Sequence, residues 1–473
     1  MATYLFYDVE TTGLNVAFDQ VLQFAATRTD EDFNVIEEHN LRVRLRPDMI
    51  PSPEAVVTHR IPMGTMRDEG VSEAEAIRQI HALLNEPGTI SLGYNSLSFD
   101  DEVLRFSFYR NLLPPYTHQY ANDCGRMDVY PMAVMYWLAG SDAVQWSDAE
   151  GAFKLETLAA SNGFDAHAEH RDHDAASDVR VTLELARALA QEAERWADLA
   201  PFFQKDGDEA RINGLPTFEI GGSSHPVGLV IGGAFGASKA FQRPVIGLGT
   251  HRHYTNQSRW LALDTPKLPG VASRPIRPNT EVVRKKLGVP NFVVPSSKNA
   301  YAQLDERRRT IVQKNLSWLR EHPVLFQQIA GYYLESTYEK VPNLDPDAAL
   351  YQQGFFSDEQ KARFAEFHQL ESAQEQARFV RRFDAPHIRA LALRHIIRNQ
   401  PEAAWPKAVA SYAKSYLRHV DPHTAADVLI DHKGNPRRTP HAALEAIDRL
   451  RAEGHHETPL DAEQQSLLDD LEA

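Results

Sequence analysis

A single cysteine, Cys124, carries all the thiol chemistry of this 473-residue chain. One thiol closes no internal disulfide, so the fold must rest on its core, and a reducing compartment fits. Nothing around Cys124 marks it as a nucleophile, and a structural role is the expectation. Long apolar runs are missing too. No stretch of about 18 apolar residues occurs, which excludes a membrane-spanning helix. The opening residues, Met1-Ala2-Thr3-Tyr4-Leu5, lack the basic start and apolar stretch of a secretory signal. A cytoplasmic protein is expected. Positive charge is also in short supply, with 50 Lys and Arg against 65 Asp and Glu, a net charge of −15. That balance argues against a protein that coats duplex nucleic acid, because such binding neutralises phosphates. It leaves room for a local basic groove, since the position of a patch matters more than the total.

What is present is the composition of a globular protein, 42% apolar and 24% charged. The length suits two to four domains. Residues 3–10 (TYLFYDVE) read as a buried strand, and further strands are expected over 20–28 and 40–46, with the acidic stretch 29–34 turning between them. Ser72-Glu73-Ala74-Glu75 is a capping box that opens a helix with Ile77, Ile80 and Leu84 on one face, stopped by Pro87-Gly88. Residues 89–93 read as a strand. Helices are expected near 101–111, over Met132–Leu138 and over 154–160, ended by Asn162-Gly163, and a long one from Asp174 to Glu194 carries Val179, Leu183, Ala186 and Leu189 at helical spacing. This order of elements implies an α/β or α+β layer fold. Composition shifts near residue 196 to a Gly-, Pro-, Val- and Ile-rich stretch with short apolar runs at 226–232 and 291–295, read as a small β-rich domain. Residues 303–335 look helical. Beyond 346 the pattern is charged and helical, with Phe355, Phe356, Phe364, Phe367, Leu391 and Leu393 expected in its core.

Three polar constellations carry chemistry. At the end of the first strand, Asp8 and Glu10 share one face of the alternating backbone. Two carboxylates on one face repel unless a cation lies between them, and oxygen ligands suit magnesium or manganese. By itself D-x-E is also what a solvated strand end looks like. Thr11, Thr12 and Gly13 follow as a tight polar turn, where glycine allows a substrate to approach the backbone. Second, Tyr94 to Glu102 leads from a strand through a polar loop into an acidic helix start, where Asp100 or Asp101 could simply cap the helix. Third, His173-Asp174-Ala175-Ala176-Ser177-Asp178 opens the long helix, with Asp174 as an alternative cap. His167, His170 and His173 could suggest zinc, but they lack a cysteine and a zinc-site spacing.

Taken together, D-x-E-T, N-x3-F-D and H-D-A-x2-D, in this order and at these separations, resemble the three motifs of the DEDDh 3′→5′ exonuclease superfamily. The likeness extends to the bacterial exonuclease I family. QFAATRTDEDFNVI (23–36), LGYNSLSFDDEVLRFSFYRN (92–111), KLETLAASNG (154–163) and HDAASDV (173–179) resemble it, as do GGAFGA (232–237), NLSWLREHP (315–323) and LYQQGFFSD (350–358). The resemblance implies an RNase H-like exonuclease domain over 1–195, an SH3-like β-barrel domain with a helical extension over 196–345, and a helical C-terminal domain over 346–473. It implies processive 3′→5′ hydrolysis of single-stranded DNA to 5′-mononucleotides in repair and recombination. Asp8, Glu10, Asp100 and Asp178 would hold two magnesium ions about 3.5–4 Å apart, with manganese as a substitute. His173 would be the general base, with an unperturbed pKa near 6.5. Thr11, Leu14 and Glu10 would contact the terminal nucleotide, with Lys298 and the 232–237 loop as further contacts, and unpaired bases would stack on aromatic side chains. The family's partner is the acidic, Phe-ended tail of single-stranded DNA-binding protein, and a monomer is implied.

Two departures stand out. Many DEDDh enzymes have His-Gly-Ile where this chain has His59-Arg60-Ile61, so a glycine-only backbone is not expected there. A basic residue of the partner-tail pocket is replaced by Gly140, which leaves Arg307, Arg308 and Arg309 as candidates for that role. A DEDDh ribonuclease that trims RNA ends has the same five site residues and stays open as an alternative. A polymerase proofreading subunit fits less well with the long C-terminal region. An inactive scaffold that binds single strands fits less well with the intact set of five.

Overall fold

The computed structural model describes residues 2–147, 153–164, 174–296, 303–421, 423 and 428–472. The chain divides into two compact units, one of Met1–Arg126, Asp165–Leu183 and Lys340–Ala473, the other of Met127–Phe164 and Glu184–Glu339.

The first unit is built on a five-stranded mixed sheet. Strands β1 (Thr3–Thr11), β2 (Val21–Thr29) and β3 (Val35–Arg42) run antiparallel, while β4 (Thr89–Leu92) and β5 (Gly125–Arg126) continue parallel to β1, in the order β3-β2-β1-β4-β5. All nine residues of β2 are buried, as befits a strand covered on both faces. β3 begins five residues before the expected start at 40. It is an edge strand whose Val35 and Ile36 are exposed, so it has no buried run for a pattern reading to find. Helices α1 (Pro53–His59), α2 (Met63–Asp68), α3 (Glu73–Leu84) and α4 (Asp100–Arg110) follow in order. The Ser72 side chain caps α3 by accepting from the Glu75 amide, and Ile77, Ile80 and Leu84 are buried as the spacing requires.

Residues Lys340–Ala473 belong to the same unit. Their Ala348, Leu350, Phe356, Phe364, Phe367, Phe379, Ile388 and Leu391 join Phe106 and Tyr109 of α4, and Leu112 just beyond it, in one continuous core. Phe355 was expected there and is instead 84% exposed, because it sits in the loop before the helix Asp358–His368 and turns outward against Tyr116. Arg60 also corrects the expectation. It caps α1 in the left-handed region, at φ 57° and ψ 25°, where glycine is favoured. Its guanidinium reaches Asp461 (2.7 Å) and Glu463 (2.8 Å) near the C-terminal helix, contacts that a glycine could not make.

The second unit contains α5 (Val129–Leu138), α6 (Leu155–Asn162) and an antiparallel sheet. That sheet comprises β6 (Thr217–Ile220), β7 (Ser223–Ile231), β8 (Gln242–Thr250), β9 (Gln257–Ala262), β10 (Val282–Lys286) and β11 (Phe292–Val294), in the order β10-β9-β8-β7-β11 with β6 on β7. One face buries Val230, Val245, Trp260 and Val293. The other packs Ile246, Leu248 and Leu261 against the helices Glu306–Glu321 and Pro323–Glu335. Helix α7 (Ala175–Ala190) is shorter than the expected 174–194, since a break precedes the next helix, Ala193–Leu199. Among the described residues no helix is long and apolar enough to cross a membrane.

Candidate active site

Strand alternation carries Asp8 and Glu10 to one face at the end of β1, while Leu5, Tyr7 and Val9 are buried. Asp178 projects from the first turns of α7, and carboxylate oxygens of Asp8, Glu10 and Asp178 lie within 4.8 Å of one another. Asp100 enters from the start of α4 and is buried. Its position follows from the chain just before it. A Cβ at Gly93 would lie 2.5 Å from the Ser96 Cβ and 2.8 Å from the Tyr7 carbonyl, so only glycine lets β4 turn this closely into the loop. Asn95 then takes a left-handed turn at φ 61°.

Burial pushes the Asp8 carboxyl well above its usual range, and the Asp100 and Asp174 charges push it further. Glu10 is raised in the same way by burial and by Asp8, Asp178, Asp100 and Asp174. These shifts are what a divalent cation would reverse. An all-oxygen donor set fits a hard cation of the magnesium type.

Neighbouring acids have other duties. Asp101 meets Arg126 (2.6 Å), Arg105 (2.7 Å) and His118 (2.8 Å). Burial would raise its carboxyl, but Arg105 and Arg126 outweigh that and hold it well below the usual range. Neither Asp100 nor Asp101 caps α4; the cap position is Phe99. Asp174 does cap α7, accepting from the Ser177 amide at 3.2 Å. It also acts on both strand carboxylates, a role that sequence reading missed. The available signal was Gln23, a polar residue inside the buried strand β2. Gln23 faces Glu10 in register and donates to Asp174 at 3.0 Å.

The turn after Glu10 is held from within. Thr11 donates to the Gly13 carbonyl (2.9 Å), Thr12 donates to Asp19 (3.0 Å), and the Asn15 amide donates to the other Asp19 oxygen (2.8 Å). A Cβ at Gly13 would lie 2.6 Å from Asp19, so glycine is required there. Leu14 is left 83% exposed at the tip of this turn, an apolar side chain offered to a ligand.

Other sequence-derived candidates have different fates. His173 and Lys298 lie outside the described residues, as do His167 and His170 of the zinc alternative. Cys124 is buried, its thiol donates to the Glu86 carbonyl at 3.2 Å, and burial pushes the thiol up, as suits a structural residue. In the 232–237 loop, Gly232 and Gly233 make room for Asn291 and Tyr130. Arg308 is not available to a partner. It pairs with Asp264 (2.9 Å) and donates to the carbonyls of Lys239 and Gln242, while Arg307 and Arg309 are exposed.

Known proteins bear on this arrangement. A family profile described as Exonuclease matches residues 5–186, and one described as Exonuclease I C-terminal domain matches residues 344–473. Exodeoxyribonuclease I of Escherichia coli K12 is 30% identical over 383 residues, covering 76% of this chain and 78% of that protein. The crystal structure of E. coli exonuclease I in complex with a dA16 oligonucleotide superposes with a TM-score of 0.82 at 25% identity, covering 100% of this chain and 98% of that one. The zinc-bound form of the E. coli enzyme with single-stranded DNA gives 0.79 at 25% identity over the same shares.

Proposed function

Because this chain belongs to the exodeoxyribonuclease I family, we propose that it hydrolyses single-stranded DNA processively from the 3′ end, releasing 5′-mononucleotides in repair and recombination. The observation that carries this reading is the convergence of Asp8, Glu10 and Asp178 within 4.8 Å, with Asp100 close enough to raise Asp8. These four acids would hold two divalent cations, magnesium with manganese as a substitute. When bound, the cations supply charge compensation to the scissile phosphate and to the attacking and leaving oxygens. The protein supplies the rest. His173 takes the proton from the attacking water. Thr11, Glu10 and the exposed Leu14 position the terminal nucleotide, and Lys298 is a further strand contact. Phe355, 84% exposed and edge-on to Tyr116 at 5.4 Å, is an apolar platform on which an unpaired base can stack.

The modules 1–195, 196–345 and 346–473 carry over as RNase H-like, SH3-like and helical, in a cytoplasmic monomer. The acidic tail of single-stranded DNA-binding protein is the proposed partner, and the exposed Arg307 and Arg309 support a basic surface for it.

The test is digestion of 3′- and 5′-labelled single-stranded DNA with and without magnesium, beside a matched RNA. Mononucleotides released from the 3′ end only, with magnesium only, and from DNA in preference to RNA are expected. Preference for RNA would favour the end-trimming ribonuclease, and binding without product would favour a scaffold. His173→Ala is expected to lower kcat by about 10²–10⁴-fold with little change in KM, the signature of a lost base. A pure loss of affinity would remove His173 from that role.

A further inference from the structure

On the helix-covered face of the second unit's sheet, two arginines stand opposite each other. Arg259 of β9 and Arg284 of β10 are register partners, so their side chains leave the same face about 4.5–5.5 Å apart at Cβ. Like charges directly opposite one another weaken a sheet. Elsewhere in this unit such charges are answered. Arg243 meets Asp264 and Glu281, Arg252 meets Glu335, and Lys285 meets Asp208. Among the described residues no carboxylate lies within ion-pair distance of Arg259 or Arg284. Arg259 is only 8% exposed, so it has given up most of its water without gaining a counter-charge.

What meets the pair is a phenol. Arg284 donates to the Tyr338 hydroxyl at 2.9 Å. Burial would push that phenol up, but Arg259 and Arg284 outweigh it and hold it below its usual value. Tyr338 lies on the segment after the helix Pro323–Glu335, and that segment is pinned. His251 donates to the Ser336 carbonyl at 2.8 Å, and the Tyr338 amide donates to the Tyr254 hydroxyl at 3.3 Å. The Tyr338 ring is 56% exposed and tilts against Tyr254 at 5.2 Å. Gly249 faces Arg259 from β8, so no side chain there competes with the guanidinium. Two guanidiniums, a hydroxyl and an exposed ring thus stand together on pinned backbone, with net positive charge and the geometry to receive an oxyanion.

We infer that Arg259, Arg284 and Tyr338 form a phosphate-binding site on the second unit, separate in its residues from the acidic cluster. Paired guanidinium forks match a tetrahedral oxyanion, and the Tyr338 ring gives an adjoining base a surface. The occupant, a phosphodiester of single-stranded DNA, rests on the function proposed above; the chemistry of the site does not.

Wild type, the Arg259→Gln/Arg284→Gln double variant, Arg284→Gln alone and Tyr338→Phe are melted in sodium phosphate and in sodium chloride of equal ionic strength. Phosphate should raise the wild-type Tm and leave that of the double variant unmoved. Binding of a dT12 oligonucleotide is then measured in EDTA across a salt series. The double variant should bind about tenfold more weakly, with a log–log salt slope shallower by about 0.7, one phosphate contact on a single strand. A lost phosphate response with unchanged dT12 binding, but lost binding of 5′-dTMP, would assign the site to released mononucleotide and uphold its chemistry. Equal phosphate response and equal dT12 slope in wild type and in folded Arg284→Gln and Tyr338→Phe would overturn it. Magnesium-dependent digestion by the wild type, run on the same preparation, separates this failure from a failure of the exonuclease reading.

Discussion

Asp178→Asn is expected to fold normally and to lose hydrolysis of single-stranded DNA by on the order of a thousandfold or more. The size follows from the site's electrostatics. Asp8, Glu10 and Asp178 are held within 4.8 Å, and burial together with the like charges drives Asp8 and Glu10 upward. Such a cluster works only with a cation, and removing one charged ligand weakens the hold on it. The same physics gives a second readout. A carboxyl whose folded pKa lies above its unfolded value binds extra protons in the folded state, so metal-free stability falls as pH rises from about 4 through the raised range. Relief of one like charge should therefore leave the Asp178→Asn Tm in EDTA equal to or above that of wild type. Added magnesium should raise the wild-type Tm markedly and the variant's much less. Initial rates and melts with and without magnesium measure both effects. A variant that keeps cleavage within tenfold of wild type would remove Asp178 from the site.

How much of this was legible in the residues depends on the range of the interaction. Period-two alternation ends an apolar strand with Asp8 and Glu10 on one face and a strongly periodic helix carries Asp178, and the ordered set of three motifs is what separates them from an ordinary strand end and helix start. Those are local signals. Asp174 looked like an ordinary cap and is one; its second effect, on Asp8 and Glu10, exists only once α7 reaches β1. The true start of β3 leaves no mark in the sequence because an exposed edge strand buries no continuous run. Phe355 has the chemistry of a core residue, yet its loop turns it outward. Arg60 was expected to avoid a glycine backbone. It adopts that backbone, and the acids that meet it lie 401 and 403 residues further along. Pairings across such separations leave no periodic trace.

Asp48 shows how much stability can hide in such a pairing. Asp48→Ala is expected to destabilise the protein by about 3–5 kcal/mol. The Asp48 side chain is fully buried, six residues beyond β3, and is shared by Arg398 (2.8 Å), Arg46 (3.1 Å) and Arg437 (3.1 Å), with the Tyr416 hydroxyl donating at 2.6 Å. Arg398 and Arg394 also pair with Asp347, so the loop after β3 and the C-terminal segment share one buried ionic network. Deleting Asp48 leaves three guanidiniums short of a charge in a place water does not reach, which is why the cost exceeds that of a surface pair. The sign with pH is set by direction. Burial alone would raise the Asp48 carboxyl, but Arg398, Arg46 and Arg437 hold it well below the usual range, and Asp347 is lowered likewise against its burial by Arg394 and Arg398. Their contribution is therefore complete above the unfolded carboxylate range, near pH 4, and is lost as pH falls toward the depressed folded values. Urea titrations at pH 7 should show a much lower midpoint for Asp48→Ala with an unchanged slope, and the gap to wild type should narrow below about pH 4. The same loop is tied to the turn after Glu10, where the Ser52 amide donates to the Thr12 carbonyl at 2.6 Å. Loss of the network should therefore appear first as heat-sensitive nuclease activity, with turnover below the melting transition close to wild type. An unfolding free energy within about 1 kcal/mol of wild type would mean that the neighbouring acids Asp347 and Glu73 compensate the three arginines by themselves, and that the buried carboxylate of Asp48 is dispensable.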